Sequence, residues 1–245
     1  MAVELGTPDV DRLGGVVRVL RDWQCEASPI QLHPGDLREE ELARRLVEDV
    51  TEPARGVLPE GKVNVEALPG ALVHDLLSES GWSTDEPWTP LRRDLTEPVQ
   101  EPGVRIELIG PERAHVRTAV QRASFDGSTF TDGRWQAMAA GSPYADARCL
   151  VAHDDQGNAV AAVTVWSAGP GKPGLLEPMG VHRDHRGHGY GTAISVAAAA
   201  ALQQLGSSSA IVCTPSSNVG AVATYTSAGF QPLPEVRDRY RDAQP

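Results

Sequence analysis

The chain is short of cysteine, of aromatic residues and of long apolar runs, and each shortage removes a class of protein. Its 245 residues include three cysteines, and aromatic side chains make up 5%. Cys25, Cys149 and Cys213 are odd in number, far apart and free of any C-x-x-C pairing. That argues against a disulfide framework and a cysteine zinc site, and leaves buried thiols as the expectation. No apolar segment reaches the ~18 residues of a membrane span, and no basic stretch leading into an apolar core marks a secretory leader. A soluble, cytoplasmic protein is expected.

Basic charge is scarce as well. The net charge is -11, and the excess is lopsided: residues 1–103 carry 21 Asp and Glu against 10 Lys and Arg, and residues 104–245 carry 12 against 12. A nucleic-acid partner needs a basic face to neutralise phosphates, so none is expected. Acidic balance favours a cationic substrate such as an amine by long-range attraction, and it also serves solubility alone. Apolar residues are plentiful at 40%, and the length allows one large or two small domains.

Pro98, Pro102 and Gly103 break the pattern between two apolar stretches and read as a linker, which places a boundary near residue 102. Residues 1–102 and 103–245 are the expected regions. In the second, strands are expected at Val104 to Ile109, Arg148 to His153, Ala159 to Ser167, Leu175 to Val181 and Ala210 to Thr214. Helices are expected at Pro111 to Ser124, Thr131 to Ala140, Thr192 to Leu205 and Val219 to Ser227, with a last extended segment at Gln231 to Arg237. Gly169 to Gly174 reads as a hairpin loop. This is an α/β arrangement with a mixed sheet flanked by helices.

The most informative stretch runs from Val181 to Thr192, where Arg186-Gly187-His188-Gly189-Tyr190-Gly191-Thr192 joins an apolar strand to an Ala-rich helix. The first N-H groups of a helix lack acceptors and sit at the positive end of its dipole, so a glycine loop there builds an anion cradle. The spacing is neither G-x-G-x-x-G nor a Walker loop. It is Arg-x-x-Gly-x-Gly, carried by Arg186, Gly189 and Gly191. Downstream follow Asn218, Ala221, Tyr225, Gly229 and Phe230.

These two motifs, in this order, resemble the acetyl-CoA signature of the GNAT N-acetyltransferase superfamily, and the resemblance covers residues 104 to 240. It implies a GNAT-type sheet and acetyl-CoA bound by the backbone of Met179, Gly180 and Val181, by Arg186 to Thr192, and by Asn218, Ala221 and Tyr225. Val181 is the expected N-H donor to the thioester oxygen. Tyr225 is the expected general acid, since a phenol is protonated at neutral pH. Asn218 also suits the cap of the helix starting at Val219.

The general base is expected at Glu177, which strict alternation along the strand would place on one face with Leu175, Met179 and Val181; His182 is second choice. His182, His185 and His188 recur every third residue, but no regular helix face or further ligand joins them, so no metal is expected. Asp126, Phe130 and Trp166, with Glu177, are candidates for contact with the amine substrate.

The first hundred residues hold a faint copy of this plan. Val63 to Trp82 parallels Ile211 to Phe230 at the same internal spacing, with Ser80-Gly81-Trp82 where Ala228-Gly229-Phe230 sits, and Glu39 to Val50 reads as the helix before it. Residues 31–41 contain no Arg-x-x-Gly-x-Gly, and there is little room for core strands. The region resembles a shortened, degenerate GNAT half without a cofactor site, as in tandem GNAT proteins such as mycothiol synthase. Packing on the second half or in a homodimer would cover its exposed edge.

The expected activity is acetyl transfer from acetyl-CoA to the primary amine of a small molecule by direct attack in a ternary complex. An amino-sugar, an amino acid and a polyamine all remain open as acceptors. Two alternatives stand beside it: a non-catalytic acyl-CoA-binding module for regulation or interaction, and an acyltransferase acting on a protein N-terminus or with a longer acyl-CoA.

Overall fold

The computed structural model describes residues 40–242 except 53–54, 56, 59–60 and 68–70, together with the backbone of three short strands before them. In chain order the elements are β1 (Ala2–Glu4), β2 (Arg18–Leu20), β3 (Ile30–Leu32), α1 (Glu40–Thr51), β4 (Val63–Ala67), α2 (Leu72–Glu79) and β5 (Ser83–Asp94). They continue with β6 (Arg105–Leu108), α3 (Ala114–Ser124), α4 (Asp132–Ala139), β7 (Ala147–His153), β8 (Ala159–Ser167), β9 (Pro173–Val181) and α5 (Tyr190–Gln204). Last come β10 (Ser209–Pro215), α6 (Val219–Ser227), β11 (Gln231–Pro232) and β12 (Val236–Arg241). Two compact units result, one of Met1–Pro87 with Val236–Pro245 and one of Trp88–Glu235. The division falls inside β5 and not near residue 102, because the strand continues through the change of unit before the Pro98 to Gly103 stretch is reached.

In the second unit the strands run β5-β10-β9-β8-β7-β6, and β11 pairs β5. All these pairs are antiparallel except β9 with β10, so the sheet is mixed. Central β8 is buried from Val160 to Val165, as expected of a strand covered on both faces. On one face lies α5, whose Ala193, Ile194, Val196, Ala197, Ala198, Ala199 and Leu202 are buried. Alanine is the strongest helix former, and its small side chain lets the helix approach the strands closely. On the other face α3 reaches the sheet through Arg117, which meets Thr164 of β8. Thr131 caps α4 by accepting from the Arg134 N-H at 3.2 Å.

The first unit repeats this order of pairings. Along β1-β2-β3-β4-β12 the pairs are antiparallel, antiparallel, parallel and antiparallel. Along β7-β8-β9-β10-β5 the same senses follow in the same order. A helix links each parallel pair, α1 between β3 and β4 and α5 between β9 and β10. The core strands expected to be missing from the first half are therefore present as backbone pairings of three residues each, too short to register as apolar periods. Its core joins Ala43, Val47 and Val50 of α1 to Val63 and Val65 of β4, Val73 and Leu77 of α2, and Trp82. The spacing in α1 is that of one buried stripe.

The last expected strand, Gln231 to Arg237, is two strands in the structure. Short β11 stays with β5, and β12 joins β4 through register pairs such as Tyr240 with Asn64.

Candidate functional site

The site begins where β9 and β10 part. Parallel pairing between them covers Pro173 to Leu175 and Ser209 to Ile211 and then stops. Beyond Leu175, β9 keeps its partner β8 on one side and loses β10 on the other. The sheet opens there into a cleft that ends at the glycine loop.

A bulge in β9 sits at the opening. Val163 of β8 faces Met179 and Val165 faces Leu176, so Glu177 and Pro178 together oppose Thr164; the peptide between them is cis. One extra residue reverses the alternation of the strand. Leu176 before the bulge and Met179 and Val181 after it all pack on the α5 side. This corrects the expectation that residues 175, 177, 179 and 181 share one face. A proline within a run that reads as a buried strand was the available signal for a bulge.

Beyond the bulge the backbone of Val181 turns away from β8. His182 donates its N-H to the Val160 carbonyl at 2.8 Å, so in antiparallel geometry Val181 directs its own N-H and carbonyl away from β8, toward the side that β10 has left. Gly180 faces α3, where a Cβ would stand 2.6 Å from that of Ser124.

At the loop, Gly189 caps α5 with φ +81°, a conformation that glycine adopts without the cost a side chain brings. The first bond of the helix is Ala193 N-H to the Gly189 carbonyl at 3.0 Å. The N-H groups of Tyr190, Gly191 and Thr192 are thus left at the positive end of a 15-residue helix. Gly191 is required for packing, since a Cβ would stand 2.8 Å from Thr224 Cγ2 on α6.

Two arginines that flank the loop hold it against α3. Arg186 donates to the Ser124 carbonyl at 2.7 Å and Arg183 to the Ala123 carbonyl at 2.9 Å, so both satisfy the last carbonyls of that helix. Arg183 also pairs with Asp126 at 3.2 Å. Sequence reasoning assigned Arg186 to the anion and overlooked Arg183. The side chain of His188 bonds the Arg186 carbonyl at 2.9 Å and stacks on Tyr190. Among the described residues no group of three or more His, Cys, Asp or Glu is placed to hold a metal. His182 faces a groove of about 450 Å³ with His115, Asn158 and His185, on the α3 side of the sheet.

Across the opening stands α6. Asn218 caps it by accepting the Ala221 N-H at 3.1 Å. Tyr225 is 5% exposed and contacts Phe230 edge-to-face. Burial first, then the charge of Glu177 and the Cys213 thiol, push its phenol well above the usual tyrosine range. Glu177 and Cys213 thus both act on Tyr225, and sequence reasoning did not point to Cys213. Trp166 is half-buried and donates to the Glu177 carbonyl at 2.7 Å. Phe130 is 3% exposed, inside the helix layer.

The family model for "Acetyltransferase (GNAT) family" matches residues 119–230, the segment that holds the bulge, the loop, α5 and α6. Over these residues, somewhat less than half of the chain, the protein is similar to GNAT acetyltransferases. The common activity of GNAT domains is acyl-CoA-dependent acetyl transfer. Among solved structures, a GCN5-related N-acetyltransferase from Sphaerobacter thermophilus is 20% identical, with a TM-score of 0.67 over 94% of this chain and 77% of its own. A tandem GNAT protein from the clavulanic acid biosynthesis pathway is also 20% identical, with a TM-score of 0.62 over 94% and 79%. A GCN5-related N-acetyltransferase from Kribbella flavida, 16% identical, has a TM-score of 0.57 over 95% and 91%. At these identities the likeness is one of GNAT fold. No curated protein matches the chain. Among the described residues no helix is long and apolar enough to cross a membrane.

Proposed function

We propose that the chain transfers the acetyl group of acetyl-CoA to the primary amine of a small molecule, at one site per chain in the second unit. The observation that carries this reading is the cleft between β9 and β10, with free helix N-H groups at its end and Tyr225 on its far wall. The residues fit the cofactor. The N-H groups of Tyr190, Gly191 and Thr192 suit a pyrophosphate, and the backbone of Met179 and Val181, open toward the cleft, suits the pantetheine arm.

Acetyl-CoA supplies an acyl group activated as a thioester, whose carbon exchanges its bond to sulfur for one to the amine nitrogen. The chain supplies three things for that exchange. Val181 N-H, turned away from β8, would donate to the oxygen that gains charge, a device typically worth about 3 kcal/mol. Glu177 takes a proton from the substrate ammonium, which frees the nitrogen lone pair for attack. Tyr225 gives its proton to the departing sulfur and regains one from the acylated nitrogen, which sheds its second proton as the amide forms. Its raised pKa keeps the phenol protonated across the working pH range, so it acts first as a hydrogen-bond donor to the forming thiolate.

The first unit we read as a shortened GNAT-like copy without a cofactor site, since its sequence offers no Arg-x-x-Gly-x-Gly between β3 and α1. The test is twofold. Acetyl-CoA should raise the melting temperature, and a panel of primary amines should release free CoA thiol. An unchanged melting temperature at saturating acetyl-CoA overturns the cofactor assignment. Stabilisation without thiol release from any amine favours a binding module.

A further inference from the structure

Under α3 and α4, on the face of the sheet away from α5, lies a guanidinium with no carboxylate partner. Arg117 is 1% exposed. It donates to Gln121 Oε1 and, at 3.4 Å, to Thr164 Oγ1; among the described residues no acid pairs with it. Arginine does not shed its charge in a protein, and an uncompensated buried charge is strongly destabilising. Its Nε is buried without an acceptor, and so are Gln121 Nε2 and Trp135 Nε1, both on side chains 1% exposed. The Phe130 ring lies 5.7 Å from the guanidinium carbon. Tyr144 joins the group, its ring edge-on to Trp135 at 5.8 Å and to Trp166 at 6.0 Å, and its phenol senses the Arg117 charge.

The open positions are all donors. Arg117 Nε and Gln121 Nε2, on side chains hydrogen-bonded to each other, are buried donors without acceptors at one buried cation, and Trp135 Nε1 is a third such donor beside Tyr144; they describe the complement of a carboxylate, whose two oxygens take a forked guanidinium and further donors. The cluster also touches the reaction centre. Thr164, which Arg117 holds, is the residue opposite the Glu177 bulge, and Trp166, which packs on Tyr144, donates to the Glu177 carbonyl.

We propose that Arg117, Gln121 and Trp135 form a receptor for a carboxylate, and that the amine acetylated by this protein carries one: the substrate class is an amino acid or a similarly short amino-carboxylic acid. This rests on the transferase reading for the word substrate but not for the receptor. The balance of atoms is that of any N-acetylation: the acceptor gains an acetyl group and loses protons from nitrogen, and its carboxylate stays unchanged as a handle.

The experiment compares α-amino acids with the amines formed by removing their carboxyl groups, by melting temperature and by CoA thiol release, in the full chain. The amino acids should stabilise the protein and react, while the decarboxylated amines fall about a hundredfold or more in kcat/KM, as when a buried charge is left unpaired. Arg117→Gln should remove the response to amino acids and keep the melting shift caused by acetyl-CoA. Should Arg117→Gln fail to fold, Gln121→Glu serves, since it changes charge and not shape. By giving Arg117 an internal partner it should raise the melting temperature and abolish the response to added carboxylates. Decarboxylated amines used as well as amino acids, an undiminished carboxylate response in Gln121→Glu, or equal stabilisation by inorganic phosphate would each overturn the carboxylate assignment. Carboxylate-dependent stabilisation without thiol release from any amine would leave the receptor standing and remove the transferase reading.

Discussion

The two units end their second helices in the same way and use that end differently. After α2, Ser80 N-H bonds the Leu76 and Leu77 carbonyls, Gly81 that of Ser78, and Trp82 that of Leu77. After α6, Ala228 bonds Thr224 and Tyr225, Gly229 bonds Thr226, and Phe230 bonds Tyr225. Gly81 and Gly229 have φ of 85° and 84°. The bonds correspond one to one, which puts Leu77 where Tyr225 stands. Both side chains are buried. One fills a core, and the other brings a hydroxyl to a cleft. The parallel pairs differ as well: β3 spends all three of its residues on β4, whereas β9 pairs three of nine with β10 and leaves the rest open. The backbone plan is shared; what separates the units is how far two strands diverge and whether the helix end carries a proton.

Substitution at the matched positions tests this contrast most sharply. Tyr225→Phe should lower kcat about a hundredfold while the acetyl-CoA melting shift is retained, the pattern of a lost general acid. Equal turnover would remove Tyr225 from that role. Leu77→Ala should do the reverse, costing about 3 kcal/mol in denaturant unfolding and leaving acetyl-CoA binding intact, because it opens a cavity in the core of the first unit.

A smaller effect lies in β12. Burial, together with Glu66 and Asp85, raises the Asp238 carboxyl to about 7. From about pH 4 to about pH 7 the folded state then holds a proton that the unfolded chain has released, so stability falls as pH rises through that window. Asp238→Asn should match the wild type below pH 4 and exceed it by up to about 4 kcal/mol above pH 7, in unfolding curves taken at both ends. Loss of the α6 cap is the mildest change. Asn218→Ala should cost about 1 kcal/mol. A much larger rise in KM for acetyl-CoA than in stability cost would add a direct contact with the cofactor.

Most of the second unit was legible from sequence because its strands and helices are long. β8 coincides with the run Ala159 to Ser167, and α6 with Val219 to Ser227. The glycine loop was legible because its conformation rests on glycines in one order ahead of a helix. The bulge was not, since period-2 alternation over Leu175 to Val181 assumes an unbroken strand and takes no account of the proline at 178. Nor was the Arg117 cluster. Its members come from α3, α4 and β8, and a buried arginine within the helical sequence AHVRTAVQRAS carries no local mark of what covers it. The strands β1 to β3 were hidden by length alone.

One consequence of the pairing of β12 with β4 concerns time. The second unit is a continuous stretch of chain, Trp88–Glu235, while the first is closed by a strand made after every other strand described. During synthesis the later-encoded unit thus has all its parts in hand before the earlier one does. The β4 edge must wait, unpaired on that side, until β12 emerges, which inverts the usual N-terminal-first order of folding.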